Sequence, residues 1–368
     1  MATRKNWGNR PWQVDFTPTR KALPPVLDFV IVGGGFAGLA AAAWLKALAP
    51  EKSVGLFEHD TLGAGSSGHT GGIALAESAV GDLPGLGDVL ASYQSILREL
   101  HVDGDVTLPG ADELGRSDAL PNSPIQWKDS GDLCVVKKVP GGSIDPGKVV
   151  GGLARAAESA GVLIFEHSAI TGVEFSDAIT LHSVAGATQA AHVLFATNAF
   201  ALDLNGLQGR AQPAFTTAIM TESLPETTIA KLGLSDRKPF YTVDLPYLWG
   251  RLLGDAIIFG SGLVFFEKSE GLYTLDIDEG EALELFDSLQ KRVVRLHPAL
   301  HNVNFTHRWG GPICIAEEWK PVFEYHHDSK KRAIVVGAFS GHGVAQSVYL
   351  GTWAAEVFLG KKKLPDWK

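Results

Sequence analysis

Cysteine is nearly absent from this chain. Cys134 and Cys314 are the two in 368 residues and form no CxxC pair, which excludes a disulfide framework and fits a reducing, cytoplasmic setting. Excess positive charge is also missing. Lys and Arg number 32 against 41 Asp and Glu, a formal charge of −9. That field repels phosphate polymers and anionic lipid, so nucleic acid is excluded as a first partner. A secretory signal is not expected, because Met1 to Leu23 is polar and basic with no apolar core. Nor is a membrane span. The one long uncharged run, the 17 residues Phe29 to Leu45, is interrupted by three glycines and reads as buried strand, turn and helix. Repeats and low-complexity segments are lacking too.

What is present is an ordinary globular balance, 45% hydrophobic and 20% charged, long enough for more than one domain. Glycine is the excess: 42 of 368 residues, about 11% against a usual share of about 7%.

The glycines are not evenly useful. Gly33-Gly34-Gly35-Phe36-Ala37-Gly38 satisfies GxGxxG, follows the β-rich run Asp28 to Val32 and opens an Ala/Leu-rich helix, Phe36 to Leu48. Ser53 to Glu58 closes a βαβ unit, with Glu58 20 residues beyond Gly38. Each part has a task in dinucleotide binding. Gly33 makes the tight turn, Gly35 admits the pyrophosphate, and Phe36 and Ala37 begin the helix whose positive dipole end faces it. Gly38 lets helix and strand approach, while Glu58 accepts hydrogen bonds from ribose hydroxyls and repels a 2′-phosphate. Alone, the fingerprint does not separate FAD from NAD.

The next loop, Gly65-Ser66-Ser67-Gly68-His69-Thr70-Gly71-Gly72, offers backbone amides and hydroxyls straight after the second strand. It is similar to the loop of the FAD-dependent D-amino-acid-oxidase-like family, of the glycine oxidase, sarcosine oxidase and γ-glutamylputrescine oxidase type. Three further segments carry the resemblance: Asp145-Pro146 with its helix, through Glu166-His167 to Gly172-Val173-Glu174; Val193 to Ala199; and Trp309-Gly310-Gly311-Pro312 with Gly337 to Val344.

The resemblance implies an α/β fold, α+β overall: a Rossmann-like FAD-binding domain (26–80, 145–212 and 305–368), a β-rich substrate domain (81–144 and 213–304) and an N-terminal arm (1–25). It further implies that Ser66 and Ser67 meet the pyrophosphate, His59 and Val173 the adenosine end, and His69, Thr70, Gly71 and Gly72 the isoalloxazine. Ala196 and Thr197 would approach the cofactor from a strand end. Gly341, His342, Gly343 and Val344 would bring the last helix's N-terminus to the flavin pyrimidine, where negative charge grows on reduction.

The activity implied is oxidation of an amine: hydride passes from the carbon beside nitrogen to non-covalently held FAD, the imine hydrolyses, and oxygen or another acceptor takes the electrons. Departures bear on the substrate. Gly311 stands where relatives grip a carboxylate with arginine, and no lysine is found at Leu263 or Val264. Some sarcosine oxidases attach flavin through a cysteine in the strand before the last glycine turn, and Cys314 takes a position that is glycine in non-covalent members. A buried small hydrophobe is the expectation for Cys314. Substrate-facing candidates are Tyr247, Trp249 and Arg251 in the segment Pro246 to Arg251, and Lys320. Arg251 would meet an acidic group at the far end of a substituted amine. Two rivals are a 2-hydroxy-acid oxidase or dehydrogenase, with His69 or His342 as general base, and a flavin-binding protein without catalysis. His297 and His301 flank a proline turn, and no metal site is expected. His326-His327 reads as an exposed strand-end pair, and Trp7 and Trp12 as pins for the arm.

Overall fold

A computed structural model describes residues 5–367 apart from Ser117, Ala185 and Pro246. Its first sheet is built around Val26–Val32, the near-continuous apolar run of a parallel strand covered on both faces. Val54–Phe57 and Gly186–Phe195 flank it in parallel register, with Leu163–Phe165 beyond one and Ala333–Gly337 beyond the other. Side chains alternate between two cores. Phe29, Ile31, Leu56, Ile164 and Leu194 meet the helices, whereas Val30, Val32, Phe57, Val193 and Phe195 face the opposite way. On that second side the antiparallel hairpin of Ile170–Phe175 and Ile179–Ser183 hangs from Gly186–Phe195.

The helices pack closely because their contact faces are small. Phe36–Leu48 lies against Gly343–Phe358, and a Cβ at Gly351 would fall 2.3 Å from the Ala37 carbonyl oxygen. Pro146–Ser159 joins the same layer. Asp145 caps it by accepting from the Lys148 amide, Pro146 occupies the first turn, and Gly161 leaves it at φ +95°. The uncharged run thus resolves into strand, turn and helix. No helix among the described residues is long and apolar enough to cross a membrane.

The second sheet runs in the order Phe305–Ala316, Ala211–Thr221, Ala256–Phe265, Trp249–Leu253, Phe240–Thr242, Ala111–Gly115, Asp132–Val139 and Gln126–Lys128. Neighbours are antiparallel except Phe240–Thr242 with Ala111–Gly115. The amphipathic helix Gly280–Leu296 buries Phe286, Leu289, Val293 and Leu296 against three of these strands.

Phe305–Ala316 is bonded along its length to Ala211–Thr221 and lies in the second sheet. Helix Val89–Glu99 packs on Gly343–Phe358 in the first. In both cases the neighbour is chosen by contacts far along the chain, which sequence order does not state. His326 is buried rather than exposed, stacked on Phe175 at 4.7 Å. The arm is pinned as expected: Trp7 and Trp12 are buried and donate to the carbonyls of Leu272 and Gly68 at 3.0 and 2.8 Å.

Candidate active site

The turn after Val26–Val32 leaves no room for side chains. Gly33 has φ +115°, and a Cβ there would lie 2.5 Å from the Ala196 carbonyl oxygen. At Gly38 it would lie 1.9 Å from the Gly33 carbonyl oxygen, and at Gly35 2.7 Å from Ser67 Oγ. Ser67 Oγ accepts from the Phe36 amide at 2.9 Å, joining the second loop to the first helical turn. Glu58 sits beneath: Oε2 accepts from the Gly34 amide at 2.7 Å and Oε1 from the Asp60 amide at 2.9 Å. Burial raises the Glu58 carboxyl pKa, opposed by these two hydrogen bonds.

Two cavities open from this turn. The first, of about 720 Å³, is lined by Gly33, Glu58, His59, Thr197, Phe200 and Tyr273 among others. The second, of about 690 Å³, lies between the two sheets, and both share Gly35, Ser66, Ser67, Ala196 and Asn198. Their junction is therefore the N-terminus of Phe36–Leu48. Asn198 ties it together, donating to Ser66 Oγ at 2.8 Å and accepting from the Ala338 amide at 2.9 Å.

The second cavity has four walls. On one, Gly343–Phe358 begins without a side-chain cap at His342, so first-turn amides are left for a ligand. Gly341 precedes it at φ +87°, with open space where a Cβ would sit. His342 Nδ1 lies 3.2 Å from the Ser340 carbonyl. A carbonyl can only accept, so Nδ1 carries the proton and Nε2 the lone pair. Burial lowers its pKa.

The second wall is the turn of Ser66–His69. His69 Nδ1 lies 3.0 Å from the Gly65 carbonyl and 3.1 Å from Arg10 Nη1. Burial, then the Arg10 charge, push its pKa down to about 3. The third wall is Phe305–Ala316, which passes over that turn. A Cβ at Gly311 would fall 2.7 Å from His69 Cβ, so any larger residue at 311 would have to displace His69. Cys314 lines this wall, and burial pushes its thiol up to about 12.

The fourth wall is aromatic. Trp249 is held between Gly71 and Gly260, where added Cβ atoms would lie 2.1 and 2.0 Å from its ring. Tyr247 donates to the Gly262 carbonyl at 3.0 Å and so accepts from Thr216 Oγ1 at 2.7 Å. Tyr241 donates to Glu77 Oε1 at 2.5 Å.

Comparison with known proteins gives this architecture a family. The family model described as "FAD dependent oxidoreductase" (DAO) matches residues 28–357. The chain belongs to that family. It is an FAD-dependent oxidoreductase. It is similar to γ-glutamylputrescine oxidoreductase of Escherichia coli strain K12, 25% identical over 90% of this chain and 84% of the relative. Its fold is shared with glycine oxidase from Geobacillus kaustophilus (TM-score 0.72, 19% identity, 93% of this chain and 97% of the other). L-proline dehydrogenase from P. horikoshii shares it as well (TM-score 0.72, 19% identity, 93% and 96%).

The cradle fits the family's cofactor, since Gly33, Gly35 and Gly38 stand where any Cβ would close the turn. Of the residues expected to bind FAD, Gly33, Gly35, Phe36, Ala37, Glu58, His59, Ser66, Ser67, His69, Thr70, Gly71, Ala196, Thr197 and Gly341 to Val344 line one cavity or the other. Two do not. Val173 pairs with Leu181 and packs on the core, while Ala169, Ile170 and Thr171 line the cavity instead. Gly72 turns away at φ +77° and its carbonyl accepts from Ile144.

Two substrate candidates are also displaced. Arg251 shares a strand face with Trp249 but lies about 6.6 Å further along. It runs beneath the loop instead, where Nε donates to the Gly71 carbonyl at 2.6 Å and the guanidinium is buried, 5.8 Å from the Trp12 ring. Lys320 lies outside the cavity, paired with Glu318 at 3.0 Å. Pro246 is outside the described residues. Arg10, Asn198, Glu77 and Tyr241 were missed. No motif marks them; Asn198 alone had a signal, as the residue following Thr197 at a strand end.

Proposed function

We propose that this oxidoreductase acts on the C–N bond of an amine or N-substituted amino acid. FAD, when bound, supplies the two-electron acceptor for the hydride leaving the carbon beside nitrogen. The nitrogen gives up a proton as C=N forms, and water converts the imine to a carbonyl with release of the amine. Oxygen or another oxidant takes the electrons.

When FAD is bound, Glu58 would hold the ribose, the amides of Gly35 to Ala37 with Ser66 and Ser67 would hold the pyrophosphate, and the first-turn amides of Gly343–Phe358 would stabilise negative charge on the flavin. Tyr247 and Trp249 hold the substrate's apolar part. His342 Nε2, neutral and carrying a lone pair, accepts the proton of the incoming ammonium. His69 does not serve as a base, because its pKa of about 3 reflects an environment that rejects a proton.

The observation that carries this reading is the charge of the cavity wall. Among its described lining residues there is no arginine; Glu77 and Glu113 face it, with Lys137 3.8 Å from Glu113. A 2-hydroxy acid would bring a carboxylate among carboxylates with no ammonium of its own to meet them, a costly burial without pairing. The relatives support the same choice by name, since γ-glutamylputrescine, glycine and L-proline all contain amines. Two free cysteines support a reducing, cytoplasmic setting. We also propose a two-domain division, one unit around each large sheet.

Anaerobic mixing of the yellow holoenzyme with panels of amines and 2-hydroxy acids tests the reaction. Amines are expected to bleach the flavin colour. Bleaching by 2-hydroxy acids alone, or by neither panel, overturns the reading.

A further inference from the structure

Resting on the C–N reading, we infer that Glu77 determines specificity, selecting amines that carry a second, non-reacting cationic group in place of a carboxylate. Glu77 lines the substrate cavity from the loop that follows the short strand Ile73–Leu75. One oxygen, Oε1, is fixed at 2.5 Å by the hydroxyl of Tyr241, a buried residue of the facing sheet. Among the described residues its other oxygen accepts no hydrogen bond, and no lysine or arginine pairs with this carboxylate. A carboxylate that lines a cavity and is held there by one oxygen is a preformed acceptor for an ammonium.

The surrounding charges agree. Glu113 lines the same cavity one strand away, and its cross-strand partner Lys137 is largely exposed at 3.8 Å, so that pair screens itself at the rim. His69 and His342 are both shifted toward the neutral form by burial. Among the described residues, Glu77 is therefore the carboxylate lining the cavity that has no lysine or arginine partner. A substrate's distal ammonium restores the balance, whereas a distal carboxylate faces Glu77 with like charge. The span between Glu77 and the flavin-facing residues is bounded by Tyr241, Trp249 and Leu263, which suits an apolar methylene chain between the two nitrogens.

The experiment compares three probe series of equal chain length, from three to six carbons: α,ω-diamines, monoamines and ω-amino acids. Each is assayed by anaerobic flavin bleaching and by steady-state kinetics on the holoenzyme. At the best length the diamine is expected to exceed the monoamine at least tenfold in kcat/KM, with the ω-amino acid lowest. Glu77→Gln is expected to reduce the diamine-to-monoamine ratio at least tenfold, chiefly through the diamine KM. Tyr241→Phe, which frees Glu77 without removing its charge, is expected to lower the same ratio about threefold through KM rather than kcat. It carries the test if Glu77→Gln fails to retain FAD. Monoamines or ω-amino acids that match the diamines, or a ratio unmoved by substitution, overturn the Glu77 inference and leave the C–N reading standing. Failure of every amine to bleach the flavin overturns both.

Discussion

Replacing Glu58 with alanine separates two roles that the structure superimposes. Its oxygens accept from the Gly34 and Asp60 amides at 2.7 and 2.9 Å, and each keeps a lone pair for a ribose hydroxyl. The two amides lose their acceptor in apoprotein and holoenzyme alike, so that loss cancels from the FAD dissociation constant and appears as a lower melting temperature. What remains in the affinity is the ribose contact. A hydrogen bond to a charged group contributes about 1.5–3 kcal/mol, which at about 1.4 kcal/mol per factor of ten is roughly a 12- to 140-fold weaker Kd.

Titration of apoprotein with FAD, followed by quenching of flavin fluorescence, measures this directly. A lower melting temperature with unchanged Kd would refute the reasoning: Glu58 would then brace the turn without meeting the ribose. The pH dependence has a definite sign. Burial raises this carboxyl's pKa in the folded apoprotein. Its contribution to apoprotein stability is therefore full below the unfolded pKa and is lost as pH rises through the folded one. FAD affinity runs the opposite way, falling as pH drops through that raised pKa and the acceptor is protonated. Glu58→Ala is expected to abolish that component of the pH dependence.

Two further outcomes follow from the cavity walls. Cys314 is buried and its thiol is pushed up to about 12, so FAD is expected to remain non-covalent; acid precipitation should leave all the flavin in solution, and a yellow washed pellet would contradict this. Arg251→Met removes the bond to the Gly71 carbonyl and is expected to lower melting temperature and FAD retention while leaving the ranking of substrates unchanged. Selective loss of carboxylate-bearing substrates in that variant would instead return Arg251 to the cavity.

The cofactor and the geometry of the glycine turn were legible because their signals are local. Gly33, Gly35, Gly38 and Glu58 act through one strand, one turn and one helix, and steric limits on a turn follow directly from residue type and spacing. The loop from Gly65 to Gly71 and the turn from Gly341 to Val344 were read for the same reason. Cap, proline and terminal glycine likewise bounded Pro146–Ser159 within a residue. The substrate half was not legible, because it is assembled across strands distant in sequence. Arg251 and Trp249 share a face, and only the tertiary arrangement carries one into the cavity and the other beneath Gly71. Gly311 read as a missing clamp, and only the tertiary structure places it against His69, which a larger residue would have to displace. Glu77 meets Tyr241 across 164 residues of chain. Composition and periodicity set which segments are buried; which buried faces meet, and so where charge is left unpaired, was decided by the packing of one sheet over the other.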